Sequence, residues 1–99
     1  IHFHSGIVWS TDIYYSTDPY KFRQWSKYGA NCVEMESSTL FTFPALKDEK
    51  VMVGTILTSD GNLEDKTNIY SGDIKKNIDL FNKGVQNTIK CAIKAIELL

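Results

Sequence analysis

Asn31-Cys32-Val33-Glu34-Met35-Glu36-Ser37-Ser38-Thr39-Leu40-Phe41 passes from a short apolar run into a helical pattern, with two carboxylates flanking a thioether at the changeover. Asn31-Cys32-Val33 reads as a buried strand or its end, and residues 35–43 read as a helix that Pro44 breaks or kinks. Backbone N–H groups at a helix start lack intrahelical partners and the helix dipole is positive there. A carboxylate at that point therefore stays ionised and accepts hydrogen bonds. On this argument Glu36 reads as a receiver of hydroxyl groups. Acidic residues at a helix start are also ordinary complements of the dipole, so the stretch alone does not decide between binding and structure.

Residues 2–15 carry Phe3, Ile7, Val8, Trp9, Ile13, Tyr14 and Tyr15 around Gly6, which is strand composition with a glycine suited to a bend or bulge. Thr17-Asp18-Pro19 supplies a helix cap followed by proline, Phe22, Trp25 and Tyr28 recur at helical spacing, and Gly29 ends the pattern. Residues 47–50 form a charged turn. Val51-Met52-Val53-Gly54-Thr55-Ile56-Leu57-Thr58 has the near-continuous apolar character of a strand covered on both faces, as in α/β sheets. After a polar loop over residues 59–72, Ile74, Ile78, Phe81, Val85, Ile89, Ile93 and Ile96 step by three or four along a terminal helix whose stripe is expected to be core. Strands alternating with helices give an α/β fold class.

The 99 residues fit at most one domain with a modest core. A hydrophobic share of 42% excludes a disordered chain, and a net charge of -1 with Arg23 as the single arginine argues against nucleic acid or an anionic membrane as partner. Cys32 and Cys91 have no pairing pattern and read as reduced thiols of a cytoplasmic protein. No run approaches a membrane span. The sequence opens at Ile1, on what reads as the edge of a strand, and is taken as a piece of something larger.

In α/β sheets, ligands sit near the carboxyl ends of strands. Both acidic clusters fall there: Glu34 and Glu36 after the Asn31-Cys32-Val33 run, and Ser59-Asp60-Gly61-Asn62 after the run ending at Thr58. An Asp leaving a buried strand into a partly apolar mouth is suited to general-acid chemistry, while Asp-Gly-Asn is equally ordinary turn chemistry.

Val33-Glu34-Met35-Glu36 with Thr39-Leu40-Phe41, and Ser59-Asp60 after an apolar run, resembles the nucleoside phosphorylase family of purine nucleoside, uridine and methylthioadenosine phosphorylases. Ser10-Thr11-Asp12-Ile13-Tyr14-Tyr15 resembles that family's Ser-x-Asp-x-aromatic-Tyr segment, and Trp25-Ser26-Lys27 is most similar to archaeal hexameric members. The resemblance covers nearly the whole chain and implies the C-terminal part of a three-layer fold, a mixed sheet flanked by helices. It implies ribose contacts at Glu34, Met35 and Glu36, with Glu36 accepting the ribose hydroxyls. It also implies base contacts at Tyr14, Ser59 and Asp60, and a proton given by Asp60 to purine nitrogen seven as phosphate takes the sugar. Inorganic phosphate is the implied co-substrate, no cofactor or metal is implied, and the complete protein is expected to be a hexamer built as a trimer of dimers.

The family's glycine-rich and arginine-bearing phosphate site belongs to its N-terminal half, and no counterpart stands in these residues, since Arg23 lies on an expected surface helix. Some bacterial purine enzymes carry an Arg after the Ser-Asp loop; here that loop offers Lys66, with Lys75 and Lys76 beyond it. Uridine phosphorylases carry a Gln-x-Arg pair after the aromatic segment, where this chain has Thr17-Asp18-Pro19-Tyr20, so the resemblance favours a purine. Uridine phosphorylase, a hydrolytic nucleosidase of the same fold and a non-catalytic nucleoside-binding fragment stand as alternatives. His2 and His4 share a strand face without a further ligand nearby, Cys32 reads as packing rather than nucleophile, and Trp9 and Trp25 read as packing.

Overall fold

The computed structural model describes residues 2–15, 18, 20–47 and 50–99. These divide into two compact units, residues 2–55 and residues 56–99. The expected cap at Thr17 and the helix-start proline at Pro19 lie outside the described residues, as does the middle of the expected charged turn at 47–50.

The first unit is a strand-helix-strand-helix run. Strand β1 (Ile7–Ser10) is followed by helix α1 (Lys21–Lys27), strand β2 (Ala30–Glu34) and helix α2 (Ser37–Leu46). Strands β1 and β2 are parallel, with Val8 opposite Cys32, Trp9 opposite Val33 and Ser10 opposite Glu34, and one irregularity between Ile7 and Val8. Two parallel strands need a crossover, and α1 supplies it. Trp25 of α1 stacks on Trp9 of β1 with ring centroids 5.8 Å apart and planes 25° from parallel, so both tryptophans pack as expected. Asp18 Oδ1 accepts from the Tyr20 N–H at 2.9 Å just before the helix. Gly29 ends it with φ +93°, and its N–H donates to the Ser26 carbonyl at 2.9 Å. A side chain in that left-handed conformation meets its own backbone, so Gly29→Ala is expected to lower stability by about 1–2 kcal/mol in chemical denaturation of the intact protein.

Three expectations need correction here. Pro44 does not end α2, which runs to Leu46. Proline removes one N–H, the partner of the Leu40 carbonyl, while the Lys47 N–H still closes the helix onto the Phe43 and Pro44 carbonyls at 3.2 Å each. Residues 51–58 pair with no strand among the described residues, and Val51, Met52, Ile56 and Leu57 are exposed. An apolar run becomes a strand only through a ladder to a neighbour, and among the described residues β1 and β2 pair with each other and with no third strand. The expected single mixed sheet is instead two separate two-stranded sheets, one parallel and one antiparallel, accompanied by helices. Helices and strands together make a mixed α/β chain.

The second unit holds the antiparallel pair β3 (Gly61–Asn62) and β4 (Thr67–Asn68) and the long helix α3 (Ile74–Glu97). Asp73 caps α3, its Oδ1 accepting from the Lys76 N–H at 3.1 Å. The half-covered face of α3 runs through Asn77, Phe81, Gly84, Val85, Thr88 and Cys91, and Thr58 lies against Gly84, where an added Cβ would stand 2.7 Å from the threonine methyl. Of the expected stripe, Phe81 and Val85 lie on that face and are half-covered, whereas its isoleucines are not. Ile74, Ile78, Ile89, Ile93 and Ile96 are all exposed, which corrects their reading as core. No hydrophobic side chain among the described residues is fully buried.

Candidate functional site

The carboxyl ends of β1 and β2 place Ser10 beside Glu34, at the mouth of α2. The Ser10 hydroxyl donates to Glu34 Oε1 and accepts from the Ser38 N–H at 2.9 Å. Glu34 Oε2 accepts from the Glu36 N–H at 2.8 Å and the Ser37 N–H at 2.6 Å, while the Glu34 carbonyl takes the Thr11 N–H at 2.9 Å. Three N–H groups at the start of α2, which would otherwise lack partners, are thus satisfied by two side chains from strand ends. Ser37, which opens the helix, is 4% exposed, and its hydroxyl lies 3.3 Å from that of Thr55.

Burial pushes the Glu34 carboxyl upward, but hydrogen bonds from Ser10, from the Glu36 and Ser37 N–H groups and from the Ser37 side chain outweigh it. Together they hold the group at about 2 against an ordinary 4.5. The ionised carboxylate that the helix-start argument demands is therefore Glu34. A carboxyl that releases its proton more readily when folded contributes stability that is complete above 4.5 and disappears as pH falls through about 2. In acid titrations of unfolding, the stability gap between the intact protein and its Glu34→Gln variant is expected to be constant above pH 4.5 and to close toward pH 2. A gap independent of pH across that window contradicts the assignment. Burial, then the neighbouring Glu34 charge, push the Cys32 thiol upward, which disfavours a thiolate nucleophile there.

Met35 and Glu36 stand just beyond this anchor, both exposed. The Glu36 carboxylate accepts one hydrogen bond among the described residues, from the Met35 N–H at 3.3 Å, and makes no cap on α2 although Glu36 is its N-cap residue. Most of its acceptor capacity is unspent. In the same unit Tyr14 is 75% exposed and meets Tyr15 edge-on, ring centroids 4.9 Å apart, which leaves a broad aromatic face open. The structure thus brings Glu34, Met35 and Glu36 together at one strand end.

Ser59 and Asp60 belong to the second unit, where the short hairpin sets them. The Asp60 carbonyl accepts from the Ile69 N–H at 2.9 Å, and the Ser59 hydroxyl donates to the Gly61 carbonyl at 2.7 Å. Between the two strands Asn62 Oδ1 accepts from the Glu64 and Asp65 N–H groups at 2.9 and 3.2 Å. Gly61 is required by close approach, since a Cβ there would lie 2.5 Å from the Thr67 carbonyl oxygen. An open depression of about 540 Å³ is lined by Ser59, Asp60, Asn62, Asn68, Asn77 and Phe81 among others. Asp60 is exposed and follows no strand among the described residues, which corrects the partly apolar strand-end mouth expected around it, and its carboxylate holds no hydrogen bond among those residues. The hairpin itself was hidden in sequence, where its two-residue strands read as part of a polar loop.

The His2 and His4 rings meet edge-on with centroids 4.8 Å apart, and among the described residues no three His, Cys, Asp or Glu side chains converge as a metal site would require. Among those residues no helix is long and apolar enough to cross a membrane.

The first unit is thus an α/β element whose parallel strand ends carry an acidic pair, one carboxylate of it held by backbone N–H groups at the start of α2. The chain belongs to the phosphorylase superfamily, whose family model matches residues 1–97. Among curated proteins it is similar to the DeoD-type purine nucleoside phosphorylase of Clostridium perfringens, 36% identical over 58 residues, 59% of this chain and 24% of that protein. It is also similar to the DeoD-type purine nucleoside phosphorylase of Caldanaerobacter subterraneus subsp. tengcongensis, 38% identical over the same length and the same shares. The match to the corresponding Clostridium beijerinckii protein is 38% identical over 40 residues, 40% of this chain and 17% of that protein. The chain therefore spans a minor part of the length of the curated relatives it matches. No solved structure matches it.

Proposed function

We propose that this chain supplies the nucleoside-recognition residues of a phosphorylase that cleaves purine nucleosides to free base and ribose 1-phosphate. The single observation that carries the reading is Glu36: an exposed carboxylate at a parallel strand end, its neighbouring backbone fixed by Glu34 and most of its acceptor capacity unspent. Vicinal ribose hydroxyls are the donors such a carboxylate suits, and charge-assisted bonds of this kind are the stronger ones.

In this reading Met35 packs against the sugar, Glu34 stands behind the pair, and Tyr14 offers its ring face to the planar base. Ser59 and Asp60 serve the base. As the bond between the anomeric carbon and purine nitrogen nine breaks, Asp60 gives its proton to nitrogen seven, so the base departs neutral. A phosphate oxygen forms the new bond to the anomeric carbon through an oxocarbenium-like transition state. Phosphate enters as co-substrate and is held by residues outside this chain's motifs. The complete protein works as a hexamer, a trimer of dimers, in the cytoplasm, and Trp25-Ser26-Lys27 allies it with archaeal members. The names of the bacterial relatives, each a purine nucleoside phosphorylase, support the purine over the uridine reading.

Release of free base from a purine nucleoside by the intact protein is expected to require phosphate and to yield the sugar phosphate in equal amount. Release at the same rate without phosphate identifies a nucleosidase, and nucleoside binding without turnover identifies a binding module.

A further inference from the structure

We propose that Ser10 and Glu34 form a positioning pair that fixes the backbone on both sides of Glu36 and so aims its carboxylate at the sugar hydroxyls. The proposal rests on the reading of Glu36 as the ribose acceptor. Ser10 is the last residue of β1 and Glu34 the last of β2, opposite each other in register. The direction of the Glu36 side chain is set by two peptide planes, the one before its Cα and the one after it. Glu34 Oε2 holds the N–H of both, at 2.8 Å for Glu36 and 2.6 Å for Ser37. The next N–H, of Ser38, is held by the Ser10 hydroxyl at 2.9 Å. That hydroxyl at once accepts from Ser38 and donates to Glu34 Oε1, fixing the rotation of the carboxylate that grips the other two.

Only a hydroxyl can fill this place. Alanine leaves both Glu34 Oε1 and the Ser38 N–H without their partner, whereas threonine keeps a donor and an acceptor on the same carbon. The pair has the features of a supporting shell. Its own atoms are occupied by each other and by the backbone, and what it immobilises is an exposed side chain with unspent acceptors. Geometry held this closely governs how well a binding carboxylate discriminates, because a small misplacement weakens hydrogen bonds steeply.

The test is the preference of the intact protein for a purine ribonucleoside over its 2′,3′-dideoxy counterpart, read as the ratio of kcat/KM values. Ser10→Ala is expected to lower that preference about tenfold, chiefly through KM of the ribonucleoside. Ser10→Thr is expected to restore it to within about twofold of the unaltered protein. A hydroxyl that merely steadies the fold would lower the melting temperature and depress both substrates alike. A wild-type preference in Ser10→Ala therefore overturns the proposal. If Ser10→Ala yields no folded protein, Glu34→Gln carries the test: a reduced preference supports the pair and an unchanged one overturns it. Glu36→Ala serves as the reference. If it leaves the preference intact, the underlying reading of Glu36 is at fault; if it abolishes the preference while Ser10→Ala does not, the positioning pair alone fails.

Discussion

Asp60→Asn is expected to lower kcat for purine nucleoside phosphorolysis by about a hundredfold or more in the intact protein, with KM within about threefold of the original. Asparagine has the size and shape of aspartate and still offers an oxygen and a nitrogen to the base, so binding survives. What it cannot do is deliver a proton to nitrogen seven as the base departs. The substitution also spares the local fold, because the hairpin is tied through the Asp60 carbonyl to the Ile69 N–H and not through the carboxylate. The close approach at Gly61 and the Asn62 turn likewise stay as they are. A purine nucleoside already alkylated and cationic at nitrogen seven needs no such proton, and its cleavage is expected to be nearly indifferent to the change. Loss on both substrates equally would make Asp60 a binding group. No loss on either would remove it from the chemistry.

Local signals were legible in the sequence wherever a residue and its immediate neighbours decide the outcome. The end of α1 at Gly29 and the span of α3 from Ile74 both follow from short-range pattern. Outcomes that depend on a partner were not legible. The apolar character of residues 51–58 states a need for burial but not what supplies it, and among the described residues no strand pairs with them. The isoleucines of α3 state the same need and remain exposed. Pro44 costs one hydrogen bond locally without breaking α2, and the closure at Lys47 shows that the helix continues past that cost.

The Glu-Met-Glu stretch gives the most instructive case. Elementary electrostatics foretells an ionised carboxylate bound by N–H groups at the start of α2, and the structure contains it, as Glu34. From sequence alone Glu36 is the expected bearer of that character. The signal that separates the two carboxylates is the serine at the end of the neighbouring parallel strand, and only the register of β1 against β2 brings Ser10 to Glu34. One acid is consumed by structure, which is what leaves the other available.

That division makes Glu36→Ala the second large effect. Among the described residues the Glu36 carboxylate caps nothing and accepts one weak bond, from the Met35 N–H, so its removal is expected to leave stability nearly unchanged while kcat/KM for a purine ribonucleoside falls about a hundredfold. Two hydroxyl bonds to one side chain are lost together. Substrates lacking the 2′- or the 3′-hydroxyl are expected to lose less, and a 2′,3′-dideoxynucleoside to change by no more than about threefold. Glu34→Gln should behave in the opposite sense, with stability falling at neutral pH and returning to parity with the unaltered protein toward pH 2, because its carboxylate is spent on the helix start. Thermal unfolding and steady-state kinetics on the two variants therefore separate an acid that reads the sugar from an acid that holds the reader. Equal losses on ribo- and dideoxynucleosides in Glu36→Ala, or a fall in melting temperature matching that of Glu34→Gln, would return Glu36 to a structural role.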